Sequence, residues 1–141
     1  MGLSDCLFNG EGHFKIKDAP TSSKTDPELR VEIEEATVTN IVRMAELQDK
    51  LYAEGREGIV VLFQAMDAAG KDSTIRRVMS GLNPQGVHVA RFKQPTPTEL
   101  AHDYLWRAVV ELPPRGTIAL FNRSYYEDVL VARVHHLERG Y

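Results

Sequence analysis

The run "IVVLFQAMDAAGKDST", residues 59–74, constrains the fold more than any other part of the chain. Its opening, Ile59 to Phe63, is continuously apolar and rich in β-branched residues, the pattern of a strand buried on both faces of a parallel sheet. A loop of small residues follows at once, and from about Asp72 the pattern is that of a helix. A strand that turns through Gly70 and Lys71 into a helix is the setting of an anion-binding loop, with backbone N–H groups and the helix dipole facing a phosphate. Two positions depart from the common G-x-x-x-x-G-K-[ST] (Walker A) pattern. Ala65 stands where the first glycine would be, and Asp72 follows Lys71, with Ser73 and Thr74 coming late. A plain turn between strand and helix is the alternative, and a Gly-Lys pair outside this setting would favour it.

The rest of the chain repeats the alternation. Asp26 can cap a helix with Pro27 in its first turn. Leu29, Ile33, Ile41, Met44, Leu47 and Leu51 then recur at steps of three or four, apart from one gap of eight, predicting a long amphipathic helix that ends near Gly55. "VHVARF" (87–92) reads as a second strand, and Thr96-x-x-Glu99 has the spacing of a capping box. Leu100, Tyr104, Ala108 and Leu112 would line one face of a single helix that Pro113 and Pro114 end. "TIALF" (117–121) reads as a third buried strand, followed by a helix from about Tyr125 to His135. The expected architecture is α/β: a parallel sheet with helices on both faces, preceded by the long helix. Residues 1–25 read as a polar arm and 26–141 as one domain, without internal repeat or linker.

Charge narrows the function classes. The net charge of -3 argues against general affinity for nucleic acid. Residues 58–141 carry ten Lys+Arg, eight of them arginine, against eight Asp+Glu, so the acidic excess lies in residues 1–57. Arginine's planar fork suits phosphate oxygens. A lone Cys6 excludes an intramolecular disulfide, and "MGLSDCLFNG" lacks the basic start and apolar core of a signal peptide. Cys6 in sixth place does not fit myristoylation, and no apolar run reaches membrane-spanning length. These features predict a cytoplasmic protein with neither a membrane nor a nucleic acid as partner.

The candidate site follows from the loop. Gly70 can take the backbone angles of a tight turn, and Ala65, Ala68 and Ala69 let the chain approach an anion closely. The N–H groups of residues 68–73 (Ala68, Ala69, Gly70, Lys71, Asp72 and Ser73) would face it, and Lys71 adds a mobile positive charge. A carboxylate in such a loop repels phosphate unless a cation lies between, so Asp67 is either a magnesium ligand or a side chain capping local N–H groups. The third strand ends at Phe121, and Asn122 stands next, where many phosphate-loop enzymes have an aspartate; Glu127 and Asp128 follow on the next helix. One of that pair can equally be ordinary acidic stabilisation of a helix start. Arg123 sits at the C-terminal end of a parallel strand, where ligands bind, and Arg133 can line a neighbouring groove. The five histidines have no metal-ligand spacing, and Trp106 with Leu105 and Val109 reads as core.

"FQAMDAAGKDSTIRRVMSGLNPQGV", "FKQPTPTELAHDYLWR" and "FNRSYYEDVLVARVH" together resemble the polyphosphate kinase 2 family over roughly residues 27–137. Asn122 and "YYEDVLV" resemble its subgroup that phosphorylates AMP as well as ADP. The resemblance implies a thymidylate-kinase-like, phosphate-loop fold and reversible, magnesium-dependent phosphoryl transfer between inorganic polyphosphate and nucleotides. It makes Asp67, Lys71, Arg123 and Asp128 catalytic, places Asp67 on magnesium and Asp128 with Glu127 on magnesium or on the acceptor, and puts Arg123 and Arg133 on phosphates. It further implies a dimer or tetramer, a strand order of second, third, first, and further strands and a basic lid after residue 141, so that residues 1–141 alone are expected to be inactive. An ATP-dependent kinase of a small metabolite, or a non-catalytic module that binds nucleotide or polyphosphate, would share the loop.

Overall fold

The computed structural model describes residues 8–19, 27–66 and 68–126. It divides into two compact units between Val38 and Thr39, a boundary inside the long helix α1 (Pro27–Glu54). Within the first unit a 3-10 turn spans Ile16–Asp18, and the Phe8 and Phe14 rings lie 5.3 Å apart. The helical residues of that unit carry an exposed Arg30–Glu34 pair at 3.3 Å, one turn apart.

The second unit contains the remainder of α1 and the sheet. Its elements are β1 (Ile59–Phe63), α2 (Lys71–Val78), β2 (Val87–Arg91), the short helices α3 (Pro97–Leu100) and α4 (Trp106–Val109), and β3 (Ile118–Asn122). The strands are parallel in the order β1-β3-β2, so β3 is central. Alternation along β3 divides the core between two faces. Ala119 and Phe121 pack with Ala90, Phe92 and Ala108 on one side. Ile118 and Leu120 pack with Leu82 on the other, under Met44 and Leu51 of α1 and Ile75 of α2. Helices therefore cover both faces, as expected, and the strand order is the expected one.

Two expectations change. The apolar run of β1 reads locally as a strand buried on both faces, whereas the strand order implied by the resemblance makes it an uncovered edge; it is that edge, with Ile59, Val60 and Leu62 44%, 41% and 38% exposed. The reason is position, since β1 is an edge whose strand partner among the described residues is β3. The single helix expected to run from Pro97 to Leu112 is two short ones. Its start is as read: Thr96 Oγ1 accepts from the Glu99 N–H, and the Glu99 carboxylate accepts from the Thr96 N–H. The break comes at Asp103, whose carboxylate accepts from the Leu105 N–H 3.0 Å away, a local turn that competes with helical bonding. Leu100, Tyr104 and Leu112 are consequently exposed, and Ala108 alone of that stripe is buried. The helix expected from about Tyr125 lies almost wholly outside the described residues.

A buried amide ties α1 to the turn before β2. Gln48, 3% exposed, donates from Nε2 to the Asn83 carbonyl at 2.9 Å and accepts the Asn83 N–H at 2.8 Å. Gly86 lies so close that a Cβ there would stand 2.7 Å from Gln48 Nε2. Gln48→Leu should therefore cost about 1–2 kcal/mol in chemical denaturation, by leaving both Asn83 backbone groups without this partner. Gly86→Ala should be destabilising too, by displacing the amide. Wild-type midpoints in both variants would contradict this account.

Candidate active site

The three strands end together: Phe63, Asn122 and Arg91 are register partners across the sheet. A cavity of about 510 Å³ opens at this edge. Helix α2 lines it with Lys71, Asp72, Ile75 and Arg76, β2 and its continuation with Val89, Arg91, Phe92 and Lys93, and β3 with Asn122 and Arg123. Five of these ten residues are cations and one is a carboxylate, a balance that favours a polyanion.

The loop into α2 is built by its own backbone. Gly70 takes φ +86°, the left-handed region that glycine enters without a Cβ penalty. Its carbonyl accepts the Thr74 N–H at 2.9 Å, the Ser73 hydroxyl at 2.7 Å and the Thr74 hydroxyl at 3.0 Å. The hydroxyls thus serve the loop, while the first-turn N–H groups of α2 have no carbonyl within the helix to bond. Ala68 and Arg123 are the non-glycine residues with positive φ among those described, +62° and +67°. Strained backbone of this kind gathers at functional sites. At Arg123 it lets the N–H turn back to the Phe63 carbonyl at 3.0 Å, locking the chain after β3 to the end of β1.

Lys71 reaches across to β3, where its Nζ donates to Oδ1 of Asn122. The Asn122 Nδ2 donates to Asp72 Oδ1 at 2.7 Å, and Lys71 Nζ lies 3.5 Å from that same oxygen. The Asn122 hydrogen bond, and next the Lys71 charge, hold the Asp72 carboxyl below the ordinary aspartate range.

The far wall of the cavity rests on Arg107, 6% exposed. Its guanidinium donates to the Lys93 carbonyl at 2.6 Å, lies 3.3 Å from the Glu99 carboxylate, and sits over the Phe92 ring at 5.2 Å. Glu99 is the residue of the capping box, so one carboxylate both starts α3 and holds the arginine that fixes the Phe92–Lys93 backbone.

Of the sequence-predicted site residues, Lys71, Asp72 and Arg123 line the cavity. Ala68, Ala69 and Gly70 form the exposed loop beside it, and Ser73 lies exposed in the first turn of α2. Asp67, Glu127, Asp128 and Arg133 lie outside the described residues, where the expected metal carboxylates therefore also fall. Among the described residues no three His, Cys, Asp or Glu side chains cluster as a metal site. Sequence reasoning missed Arg76, Arg91 and Lys93. The available signal was the arginine enrichment after residue 58 and the place of Arg91 at a strand's C-terminal end. Trp106 is only half-buried, stacked on His102 at 4.2 Å, while its neighbours Arg107 and Ala108 are the buried residues of α4.

A parallel sheet with a phosphate-type loop after its first strand and a basic cavity at the strand ends defines an α/β protein of the phosphate-loop kinase class. The family model for "Polyphosphate kinase 2" matches residues 29–140, and the chain belongs to that family. It is 51% identical over 128 residues to an ADP-polyphosphate phosphotransferase of Rhodopseudomonas palustris, covering 89% of this chain and 44% of that protein. It is 48% identical over 129 residues to an AMP/ADP-polyphosphate phosphotransferase of Meiothermus ruber, covering 90% and 48%. The crystal structure of polyphosphate kinase 2 from Arthrobacter aurescens superposes with a TM-score of 0.81 at 34% identity, over 95% of this chain and 48% of that one. The chain thus spans a little under half the length of these relatives.

The Glu99 clamp has a pH signature. Hydrogen bonds from Thr96, and secondarily the Arg107 charge, hold the Glu99 carboxyl below its ordinary range. A depressed folded-state pKa gives stability that is present above the unfolded value and lost as pH falls through the folded one. The wild-type melting temperature should therefore fall more steeply than that of Glu99→Gln as pH drops below the ordinary glutamate range. Arg107→Ala should cost about 1.5–3 kcal/mol, because it removes a charged donor from the Lys93 carbonyl and the Glu99 carboxylate. Parallel melting curves for wild type and Glu99→Gln across that range would exclude the clamp.

Proposed function

We propose that this chain carries the phosphate-handling site of a reversible phosphotransferase acting between inorganic polyphosphate and AMP or ADP. The observation that carries the proposal is the convergence of Lys71, Arg76, Arg91, Lys93 and Arg123 on one cavity beside a phosphate-type loop. Donor and acceptor in such a reaction are both polyanions, so bringing them together needs several cations. The acceptor is itself a phosphate and needs no general base; catalysis reduces to positioning and charge neutralisation. The Asp72 carboxylate, the one acidic group among the described lining residues, is engaged by Lys71 and Asn122. The names of the relatives support polyphosphate and adenine nucleotides as substrates.

In this proposal the first-turn N–H groups of α2 and Lys71 hold the phosphoryl group in transit, and Arg123 the adjacent phosphates. Arg76, Arg91 and Lys93 would carry the rest of the polyanion, with Arg133 beside them. The oxygen donors assigned to a divalent cation (Asp67, Glu127 and Asp128) are carboxylates, the chemistry that magnesium takes together with phosphate oxygens. Bound there, magnesium would neutralise charge on the transferring phosphates. The domain limits 26–141, a cytoplasmic location and a dimer or tetramer belong to the same proposal. No helix of the described residues is long and apolar enough to cross a membrane.

The test is magnesium-dependent ATP formation from ADP with polyphosphate as sole donor, assayed in the chain extended to the length of its relatives, together with the thermal shift produced by tripolyphosphate. Lys71→Ala and Asp67→Asn should each lower transfer by roughly a hundredfold or more, with unchanged circular dichroism. Arg91→Ala and Arg123→Ala should weaken tripolyphosphate more than nucleotide, and added salt should mimic them. A protein that binds nucleotide but shows neither a tripolyphosphate shift nor transfer would refute the proposal.

A further inference from the structure

We infer that Asp72 is a positioning residue for Lys71, acting through the side-chain amide of Asn122. The geometry is a closed triangle. Asn122 ends the central strand and is held from both sides by its register partners Phe63 and Arg91, so its side chain starts from a rigid point. Its amide has a donor end and an acceptor end. The Nδ2 end donates to Asp72 Oδ1 at 2.7 Å, and the Oδ1 end receives Lys71 Nζ. An ionised carboxylate can only accept. It therefore fixes which end of the amide turns toward Asp72, and by elimination presents oxygen, not NH₂, to the lysine ammonium. A reversed amide would set donor against donor. The low pKa direction of Asp72 is consistent with this, because the acid stays in its acceptor-only form.

Exposure separates the two roles. The Lys71 side chain is 12% exposed and the Asp72 side chain 77%. Lys71 is the group enclosed in the cavity, and Asp72 works from its mouth. A four-carbon stem has many rotamers, and anchoring its end removes that freedom before an anion arrives. This gives a physical reason for an aspartate directly after the lysine, where the common loop pattern has serine or threonine. Ser73 and Thr74, which come late, are occupied by the Gly70 carbonyl instead.

The consequence for phosphate rests on the proposed function, but the triangle itself can be tested without ligand. In ¹⁵N-lysine-labelled protein, the Lys71 ammonium signal, assigned by its loss in Lys71→Arg, should exchange slowly with water in the wild type. Asp72→Ala should speed that exchange roughly tenfold or more, the scale of a lost charge-assisted hydrogen bond. Asn122→Leu should do the same, because it removes the oxygen that receives the ammonium. The reciprocal double variant, Asp72→Asn with Asn122→Asp, should restore slow exchange, since an amide at 72 can donate to a carboxylate at 122 that receives Lys71. Tripolyphosphate affinity should follow the same order: about tenfold weaker in the single variants and regained in the exchange. Wild-type exchange and affinity in Asp72→Ala, or a double variant no better than the singles, would overturn the inference. Failure of wild-type protein to bind tripolyphosphate would count against the proposed function and leave the ammonium measurement to decide this point.

Discussion

The second unit of the molecule depends on the two-sided pairing of β3. This strand bonds in parallel to β1 and β2, and its residues from Ile118 to Phe121 are buried. Because Ala119 and Phe121 serve one core and Ile118 and Leu120 the other, a one-residue slip would exchange the two cores at once. That rigidity is what makes Asn122 useful. A polar residue at the end of the best-anchored strand can hold a flexible lysine from the neighbouring helix at a fixed place.

Around that point the structure uses backbone for shape and side chains for charge. The Gly70 carbonyl gathers three donors to shape the loop, and the left-handed Arg123 bends the chain back to β1. The charged side chains then come from separate elements: Lys71 and Arg76 from α2, Arg91 and Lys93 from the end of β2, and Arg123 from the end of β3. Mutual repulsion among so many cations would spread them if their backbones were free. The Arg107–Glu99 clamp on the Lys93 carbonyl is one device that prevents it.

Similarity extends over nine-tenths of the chain in two relatives, and the solved structure aligns over 95% of it, so the sheet and the site-bearing loop belong to the shared part. The exposed apolar residues of β1 lie on an edge of the same sheet. An edge of that character is open to pairing with further structure.

Local chemistry made much of this legible in the sequence. The apolar runs identified the strands, Thr96 and Glu99 announced the capping box, and Gly70-Lys71 after a strand marked the loop, because each signal acts over a few residues. The strand order and the family came from motif resemblance, not from these local rules. Other features depended on distance in space. The stripe from Leu100 to Leu112 suggested one helix, but an aspartate turn at Asp103 broke it, a competition that periodicity does not register. Continuous hydrophobicity in β1 could not distinguish an edge from a centre, since exposure is set by the neighbouring strands. Arg76, Arg91 and Lys93 looked like ordinary surface charges until the fold brought them to one cavity. The sequence alone determined which short segments become strand, loop and helix start, because those choices are made by neighbouring residues. Only the tertiary structure decided that Lys71, Asp72 and Asn122 form one unit, because Asn122 lies some fifty positions from the loop and only the pairing of β3 brings it there.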